Sequence, residues 1–354
     1  MHALDQKEYV LRLDPKEMYR LTCEFPDQCE LALGLAREAT LPTLTGVGQV
    51  LLTGMGGSAV GGDFVKCLFE AEGKLPFQVN RDYVLPGWVG PETLVFASSY
   101  SGNTEETLAA YESARAAGAK RVVLTSGGQL AELARKNGDP LILIPAGQPP
   151  RTALGLLCIP VVAACEAMGL LPRQDFAAAF AGLRQVVQGH RIEVGFVENS
   201  AKQMAQSMHG KLSVLYGLGS WQAVVANRWK GQINENAKNM TFANAFPELN
   251  HNEILGWVRA DGQGVQNWVC VVLQDGAETD KMKARDRVTL DLIRSVCPIQ
   301  HHVQAEGDRL LERMLTLVLK GDFVSLYLAA LNGVDPENID WINVLKSELS
   351  QIPA

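Results

Sequence analysis

What this chain lacks already excludes several classes of protein. It has no surplus of positive charge: 32 Lys and Arg stand against 39 Asp and Glu, a net charge of −7. A field of that sign disfavours nucleic acid and anionic membranes, and an anionic ligand would need donors placed locally. It has no C-x-x-C. Its seven cysteines (Cys23, Cys29, Cys67, Cys158, Cys165, Cys270 and Cys297) are odd in number and several sit in apolar runs. They read as buried thiols of a reducing cytosol rather than as disulfides or metal ligands. It has no signal-like start, because "MHALDQKEYVLRLDPKEMYR" is charged throughout. The most membrane-like stretch, "ALGLLCIPVVAACEAMGLL", contains Pro160 and Glu166 without clear basic flanks, and reads as a buried core helix. The expectation is a cytoplasmic protein with no nucleic-acid partner and no membrane partner.

What is present is a large apolar content, 47% against 20% charged, in 354 residues, enough for two domains of ordinary size. Residues 1 to 45 read as helical, punctuated by Pro15, Pro26 and Pro42. Short apolar runs then alternate with helix-like stretches: "QVLLTG", "TLVFASS", "KRVVLTSGG" and "PLILIPAG" in the first half, "SVLYGLG" and "WVCVVLQD" in the second, with "PIQHHVQAEG" as a further strand candidate. "RLLERMLTLVLKGDFVSLYLAAL" reads as a long apolar helix or a helix pair. Strands of this length alternating with helices predict an α/β fold with parallel sheets flanked by helices.

The theme is repeated. "VLLTGMGGSAVGGDFVK" (Val50 to Lys66) and "VLYGLGSWQAVVANRWK" (Val214 to Lys230) are equally long, each strand, glycine turn, serine, helix. With a one-residue adjustment Gly56-Gly57-Ser58 matches Gly219-Ser220. The chain therefore reads as two related doubly wound halves, 1–185 and 186–354, joined without a Ser/Gly linker.

Two loops of the first half are rich in hydroxyls and glycine. In "TGMGGSAVGGD", Gly54, Gly56 and Gly57 leave amides facing outward at a helix start, and Ser58 can cap the helix or donate to an anion. The G-x-G-G spacing is close to a dinucleotide fingerprint, but the next strand, "PFQVNRDY", supplies only a weak acidic partner. "SSYSGNTEE" adds Ser99, Ser101 and Thr104, with Glu105 and Glu106 suited to a first helical turn. This loop carries no lysine. A loop that transfers a phosphoryl group needs a cation and a magnesium ligand, whereas a loop that only holds an unreactive phosphate needs amides, hydroxyls and a helix N-terminus. The pattern favours phosphate as a handle.

The pair "GMGGSAVGGD" and "SSYSGNTEE" resembles the sugar isomerase (SIS) domain. "PRTALG", "NENAKN", "FPELNHNEI" and "GVDPENIDWINVLK", in that order, narrow the resemblance to the bifunctional phosphoglucose/phosphomannose isomerase family, over nearly the whole chain. The resemblance implies two SIS-type subdomains, the first carrying phosphate-binding loops and the second a catalytic Glu and His. It implies a sugar 6-phosphate substrate, aldose–ketose isomerisation through a cis-enediolate as in glycolysis and gluconeogenesis, no metal or other cofactor, and a homodimer in which His251 is shared across subunits. By the same motifs Glu235 carries the proton between C2 and C1, and His251 opens the ring with Lys346 as second group. Arg151 stabilises the enediolate oxygens, and Gly56, Gly57, Ser58, Ser99, Ser101 and Thr104 hold the phosphate. The chain has Glu337-Asn338 where the family often has Thr-Pro, a departure at the approach of the last helix.

Other readings are a different sugar-phosphate isomerase or a non-catalytic sugar-phosphate sensor. A sensor would be expected to carry a basic helix-turn-helix segment and no proton-transfer groups, and the first 45 residues have no basic excess. An amidotransferase would need a cysteine after Met1, where His2 stands.

Overall fold

The computed structural model describes residues 2–263 and 267–349. Helices α1 (Lys7–Arg12), α2 (Met18–Cys23) and α3 (Phe25–Glu38) come first. There follow β1 (Gln49–Thr53), α4 (Gly56–Glu72), β2 (Phe77–Asn80), β3 (Thr93–Ser99), α5 (Glu105–Ala116), β4 (Lys120–Thr125), α6 (Gly128–Asn137) and β5 (Leu141–Leu143). Helices α7 (Leu154–Ala167), α8 (Phe176–His190) and α9 (Ser200–Met208) lead to β6 (Leu212–Gly217), α10 (Ser220–Ala237) and β7 (Thr241–Ala245). The chain continues through 3-10 turns at Glu248–His251 and Glu253–Arg259 to β8 (Trp268–Gln274), α11 (Asp280–Ile293), β9 (Ile299–Gln304), α12 (Leu310–Asn332) and α13 (Asp340–Leu349).

The chain divides into two compact units. One comprises Glu24–Arg184 and Glu306–Thr316; the other comprises Met1–Cys23, Gln185–Ala305 and Leu317–Ala354. Each contains a wholly parallel sheet. The first has five strands in the order β2-β1-β3-β4-β5, the second four in the order β7-β6-β8-β9. In both, chain order reverses beside the first strand, so the loops after β1 and β3, and those after β6 and β8, flank a switch point, where open parallel sheets hold ligands.

In the five-stranded unit every residue of β3 is buried, as expected of a central parallel strand covered on both faces. The most membrane-like stretch, read from the sequence as a buried core helix, forms α7, buried from Leu154 to Cys165 and packed on α3 and α4. The approach is close: a Cβ on Gly61 would lie 2.9 Å from the Leu157 carbonyl oxygen. In the four-stranded unit, Lys202 on α9 is 0% exposed, and its ammonium donates to Asp5 Oδ1 (2.9 Å) and to the Ile192 and Val194 carbonyls (2.9 and 2.8 Å). Three acceptors offset the desolvation of a charge that would otherwise be very costly to bury.

The long apolar run near the C-terminus is a single helix, α12. It is long and apolar enough to cross a membrane, but 94% of its apolar window is buried within the protein. Polar side chains tie it to α10, as a core helix requires: Arg228 and Gln232 donate to Asp322 (2.8 and 2.9 Å), and Asn236 donates to Ser325 Oγ (2.9 Å).

The repeat aligns slightly differently from its sequence reading. β1 and β6 lead to their helix caps over the same distance, Val50 to Met55 and Val214 to Gly219. No adjustment is needed, and Ser58 corresponds to Gln222 rather than to Ser220.

Candidate functional site

The loops after β1 and β3 are drawn together by main-chain contact. A Cβ on Gly54 would lie 2.7 Å from the Ser98 carbonyl oxygen, a separation only glycine permits. α4 starts with Met55 as N-cap, without a side-chain cap and without an acid in its first turn. Its N-terminal amides thus meet no carboxylate of their own turn. Ser58, 4% exposed, accepts a hydrogen bond from Tyr100 N (3.2 Å).

In the second loop Ser99 Oγ accepts from Gly102 N (3.1 Å) and shares a hydrogen bond with Thr104 Oγ1 (2.9 Å). Thr104 is the N-cap of α5, yet its side chain makes no capping bond; the hydroxyl faces Ser99 instead. Ser101 is exposed, and its Oγ accepts from Asn103 N (3.3 Å). The loop is braced by the β4–α6 turn: Leu130 N donates to the Gly102 carbonyl (2.9 Å) and Gln129 N to Asn103 Oδ1 (3.0 Å). Gly102, at φ 71°, is pressed so close that a Cβ would fall 1.8 Å from the Gly127 oxygen. The result is a braced edge of hydroxyls, outward amides and two helix N-termini, a donor set suited to an anion without a lysine.

Arg151 lies in the same unit, on the 3-10 turn Pro150–Thr152, and is 8% exposed. Its turn abuts the start of α4, where a Cβ on Gly57 would lie 2.8 Å from the Pro150 carbonyl oxygen. Gln28 of α3 pins the turn from behind. Its Nε2 donates to the Thr152 carbonyl (2.9 Å) and to Gln148 Oε1 (3.0 Å), and its Oε1 accepts from Gly155 N (2.8 Å). Gln148 N in turn donates to the Tyr100 hydroxyl (3.2 Å). Sequence reasoning missed Gln28 and Tyr100. The available signal for Gln28 was a polar residue beside the apolar stripe of Phe25, Cys29, Ala32 and Ala36 on α3.

The remaining candidates lie in the four-stranded unit. Glu235 is half-buried in the last turn of α10. Its flanking residues are fixed: Asn234 accepts from Thr241 N (2.8 Å) and donates to the Thr241 carbonyl (3.2 Å), and Asn236 is held by Ser325. Earlier in the same helix, Trp229 Nε1 donates to the Leu317 carbonyl (2.9 Å). Lys238, at φ 51°, ends the helix, and its ammonium donates to the Asp335 carbonyl (2.6 Å), tying the approach to α13 to this point. The residues that depart from the family pattern take local roles there. Glu337 N donates to Asp335 Oδ1 (2.8 Å), while Asn338 donates to Asp340 Oδ2 (2.7 Å) and accepts from Asp340 N (3.2 Å) at the start of α13. Lys346 is exposed on α13.

His251 ends the turn Glu248–His251 and is exposed. The turn is anchored on both sides of it. Asn250 donates to Thr289 Oγ1 (2.8 Å), and Glu253 accepts from the Tyr216 hydroxyl (2.5 Å) and from Asn244 Nδ2. Tyr216 also accepts from Trp257 Nε1 (2.8 Å). The imidazole therefore projects from a turn of fixed position and not from a loose loop. His301 and His302 point to opposite sides of β9, His301 to Ser207 (2.6 Å) and His302 to Asp286 (2.7 Å). Among the described residues no group of three or more His, Cys, Asp or Glu is placed to hold a metal ion.

Comparison with known proteins decides the family. A model of the SIS domain matches residues 43–154, and one of the bacterial phospho-glucose isomerase C-terminal SIS domain matches 197–349. A bifunctional phosphoglucose/phosphomannose isomerase of Caldicellulosiruptor bescii is 38% identical over 338 residues, 95% of this chain and 99% of that protein. The chain belongs to the bifunctional phosphoglucose/phosphomannose isomerase family. Another family member, from Aquifex aeolicus, is 32% identical over 95% of this chain and 99% of its own. The fold agrees: a glucose-6-phosphate isomerase like protein from Thermus thermophilus superposes with a TM-score of 0.65 at 19% identity, covering 98% of this chain and 99% of that one. The two-SIS architecture of the family is the one described above.

Proposed function

We propose that the protein is an aldose–ketose isomerase that interconverts glucose 6-phosphate, and also mannose 6-phosphate, with fructose 6-phosphate. The observation that carries this reading is identity of 38% along 95% of the chain with an enzyme named for both activities. The hydroxyl loops support it, since a donor set without a cation suits a phosphate that is held and not transferred.

In this reading the amides of Gly56 and Gly57 and the hydroxyls of Ser58, Ser99, Ser101 and Thr104 hold the 6-phosphate. Ring opening moves one proton off O1 and delivers one to the ring oxygen, which requires a base and an acid; His251 and Lys346 take these parts. Glu235 then removes the C2 proton of the aldose. The electron pair shifts through C1 to O1, leaving a cis-enediolate; the O2 proton passes to O1, and the same carboxylate returns its proton at C1 as O2 becomes the ketone. Arg151 offsets the negative charge on O1 and O2 as it develops. The reading includes a cytoplasmic homodimer, serving glycolysis and gluconeogenesis, in which His251 acts in the partner's site. The exposed imidazole supports this, as do the apolar side chains left bare in the same unit, Leu255 at 72%, Val258 at 74% and Trp341 at 91% exposure.

Coupled assays with glucose 6-phosphate and mannose 6-phosphate on the wild type and on Glu235→Gln test it. A fall in kcat of about 10³-fold or more is expected, within the scale of a lost general base. Near-normal turnover by the variant would sink the mechanism, and a wild type that binds sugar phosphate without converting it would make the protein a sensor.

A further inference from the structure

The repeat gives each unit a pair of loops at its switch point, but the two pairs are chemically opposite. In the five-stranded unit the loop after β3 supplies hydroxyls. Strand register equates Ala97 with Leu273, since Ala97 pairs with Thr53 and Leu273 with Gly217, the matching residues of the two repeats. Ser99 therefore corresponds to Asp275. Thr104 and Thr279 are the matching N-caps, of α5 and α11. Between these points the second loop is one residue shorter and reads "DGAET", with Asp275 at the place of Ser99 and Glu278, just before the cap, at the place of Asn103. Thr279 is also committed: its Oγ1 accepts from Met282 N (3.3 Å) as a true cap, whereas Thr104 leaves its helix uncapped.

The loop after β6 is correspondingly filled. Gln222, the counterpart of Ser58, folds its amide back over the turn, so that a Cβ on Gly219 would meet Gln222 Oε1 at 2.5 Å. Its Nε2 lies 3.5 Å from Glu278 Oε1, and the same carboxylate oxygen accepts from Asp275 N (2.6 Å). Thus Ser58 links to the loop after β3 through Tyr100 N, and Gln222 reaches the loop after β8 through Glu278. The other oxygen, Glu278 Oε2, is buried with no hydrogen-bond partner among the described residues. A carboxylate oxygen without partners is costly to bury, and local loop geometry gives no reason to place it there. α10 has no acid in its first turn, so its N-terminus would otherwise face an empty cradle.

We propose that Glu278 is a built-in anion: in the four-stranded unit its carboxylate fills the place equivalent to the one that phosphate takes in the five-stranded unit, so the chain offers one phosphate cradle instead of two. This rests on the hydroxyl loops being the phosphate site. A second open cradle, at the N-terminus of α10, would hold sugar phosphate about 22 Å along that helix from Glu235 in its last turn; the carboxylate closes it by charge and by volume.

Calorimetric titration of the full chain with inorganic phosphate tests the proposal. Wild type should show about one site per chain and Glu278→Ala about two, because the substitution takes away the anion that Gln222 Nε2 and Asp275 N now face. Glu278→Ser serves the same purpose if the alanine variant does not fold. Glu278→Gln, which keeps the volume, should stay at one. Adding Gln222→Glu to Glu278→Ala should restore a carboxylate to the cradle and abolish the gained site. A folded Glu278→Ala protein with unchanged stoichiometry overturns the inference, as does a gained site that survives Gln222→Glu. A wild type with no phosphate site, beside a Glu278→Ala variant with one, would refute the hydroxyl-loop reading and with it the equivalence drawn here, whereas one site in both proteins would overturn this inference alone.

Discussion

Gly57→Ala is the sharpest probe of the coupling between the start of α4 and the turn that bears Arg151. The added Cβ would lie 2.8 Å from the Pro150 carbonyl oxygen, 3.3 Å from the Pro150 carbonyl carbon and 3.5 Å from Leu157 Cδ1. The first two are main-chain atoms and cannot rotate away. Restoring ordinary contact requires helix and turn to part by about 0.6 Å. Overpacking of this kind costs about 1–3 kcal/mol, a fall of roughly 2–10 °C in Tm for a unit of this size. A misplacement of 1 Å can cost about 10²-fold in rate, so kcat should fall by about tenfold if Arg151 acts on the enediolate. Gly61→Ala, one turn further along α4, is the matched control. Its Cβ would lie 2.9 Å from the Leu157 carbonyl oxygen and 3.0 Å from the Leu157 carbonyl carbon, so it overpacks α4 against α7 to a similar degree without touching Pro150. It should lower Tm similarly and leave kcat nearly intact. The assay is coupled turnover beside thermal unfolding of both variants. If Gly57→Ala loses stability yet keeps the kcat of Gly61→Ala, the turn does not position a catalytic group and the reasoning fails.

Other substitutions test the supports. Asp14 accepts from Met18 N and Tyr19 N (2.8 and 2.7 Å) ahead of α2, and Asp14→Ala should cost about 1–2 kcal/mol in urea unfolding, the worth of a helix cap. Asp322→Ala removes the carboxylate that Arg228 and Gln232 share in the core; a loss of about 3–5 kcal/mol is expected, read as a lower urea midpoint. Tyr216→Phe leaves Trp257 Nε1 and Glu253 without the hydroxyl between them. It should lower kcat through the His251 turn while phosphate affinity, measured by calorimetry, stays unchanged. The hydrogen bond from His302 to Asp286 raises the folded imidazole above its ordinary 6.5. Its contribution to stability is therefore fully present below about pH 6.5 and is lost as pH rises through the raised value. Asp286→Asn should flatten that decline in a series of unfolding curves; an unchanged slope would show that the pair carries no linkage.

Much of the sheet architecture was legible because buried parallel strands are continuous apolar runs: "VLLT", "LVFA", "RVVLT", "VLYG" and "VCVVL" all became strands β1, β3, β4, β6 and β8. β7 was not legible. "TFANA" is short, sits at a sheet edge and carries Asn244, and only pairing with β6 makes it a strand. The hydroxyl loops could be read as an anion site because serine, threonine and glycine at strand-to-helix junctions have a direct physical use. The way Arg151 is supported could not, since Gln28 stands more than a hundred positions from Thr152. Glu278 was hidden for another reason. "DGAET" reads as a turn followed by a helix cap, which it also is, and its closing of a cradle emerges only when the two halves are aligned strand by strand. Contacts such as Tyr9 to the Ala330 carbonyl, at 2.8 Å, and Lys202 to Asp5 likewise leave no mark on local periodicity.

Those last contacts bear on how the molecule is made. The four-stranded unit takes Met1–Cys23 from the beginning of the chain and Leu317–Ala354 from its end, and the five-stranded unit takes Glu306–Thr316 from beyond the whole second sheet. Neither is complete until α12 has been synthesised. The first helices leave the ribosome long before α9 and α12 exist to cover them, so folding cannot proceed one finished domain at a time. A gene cut near residue 185 would yield two fragments each deprived of part of its own core, and recovery of activity from such halves would require both to be present during folding.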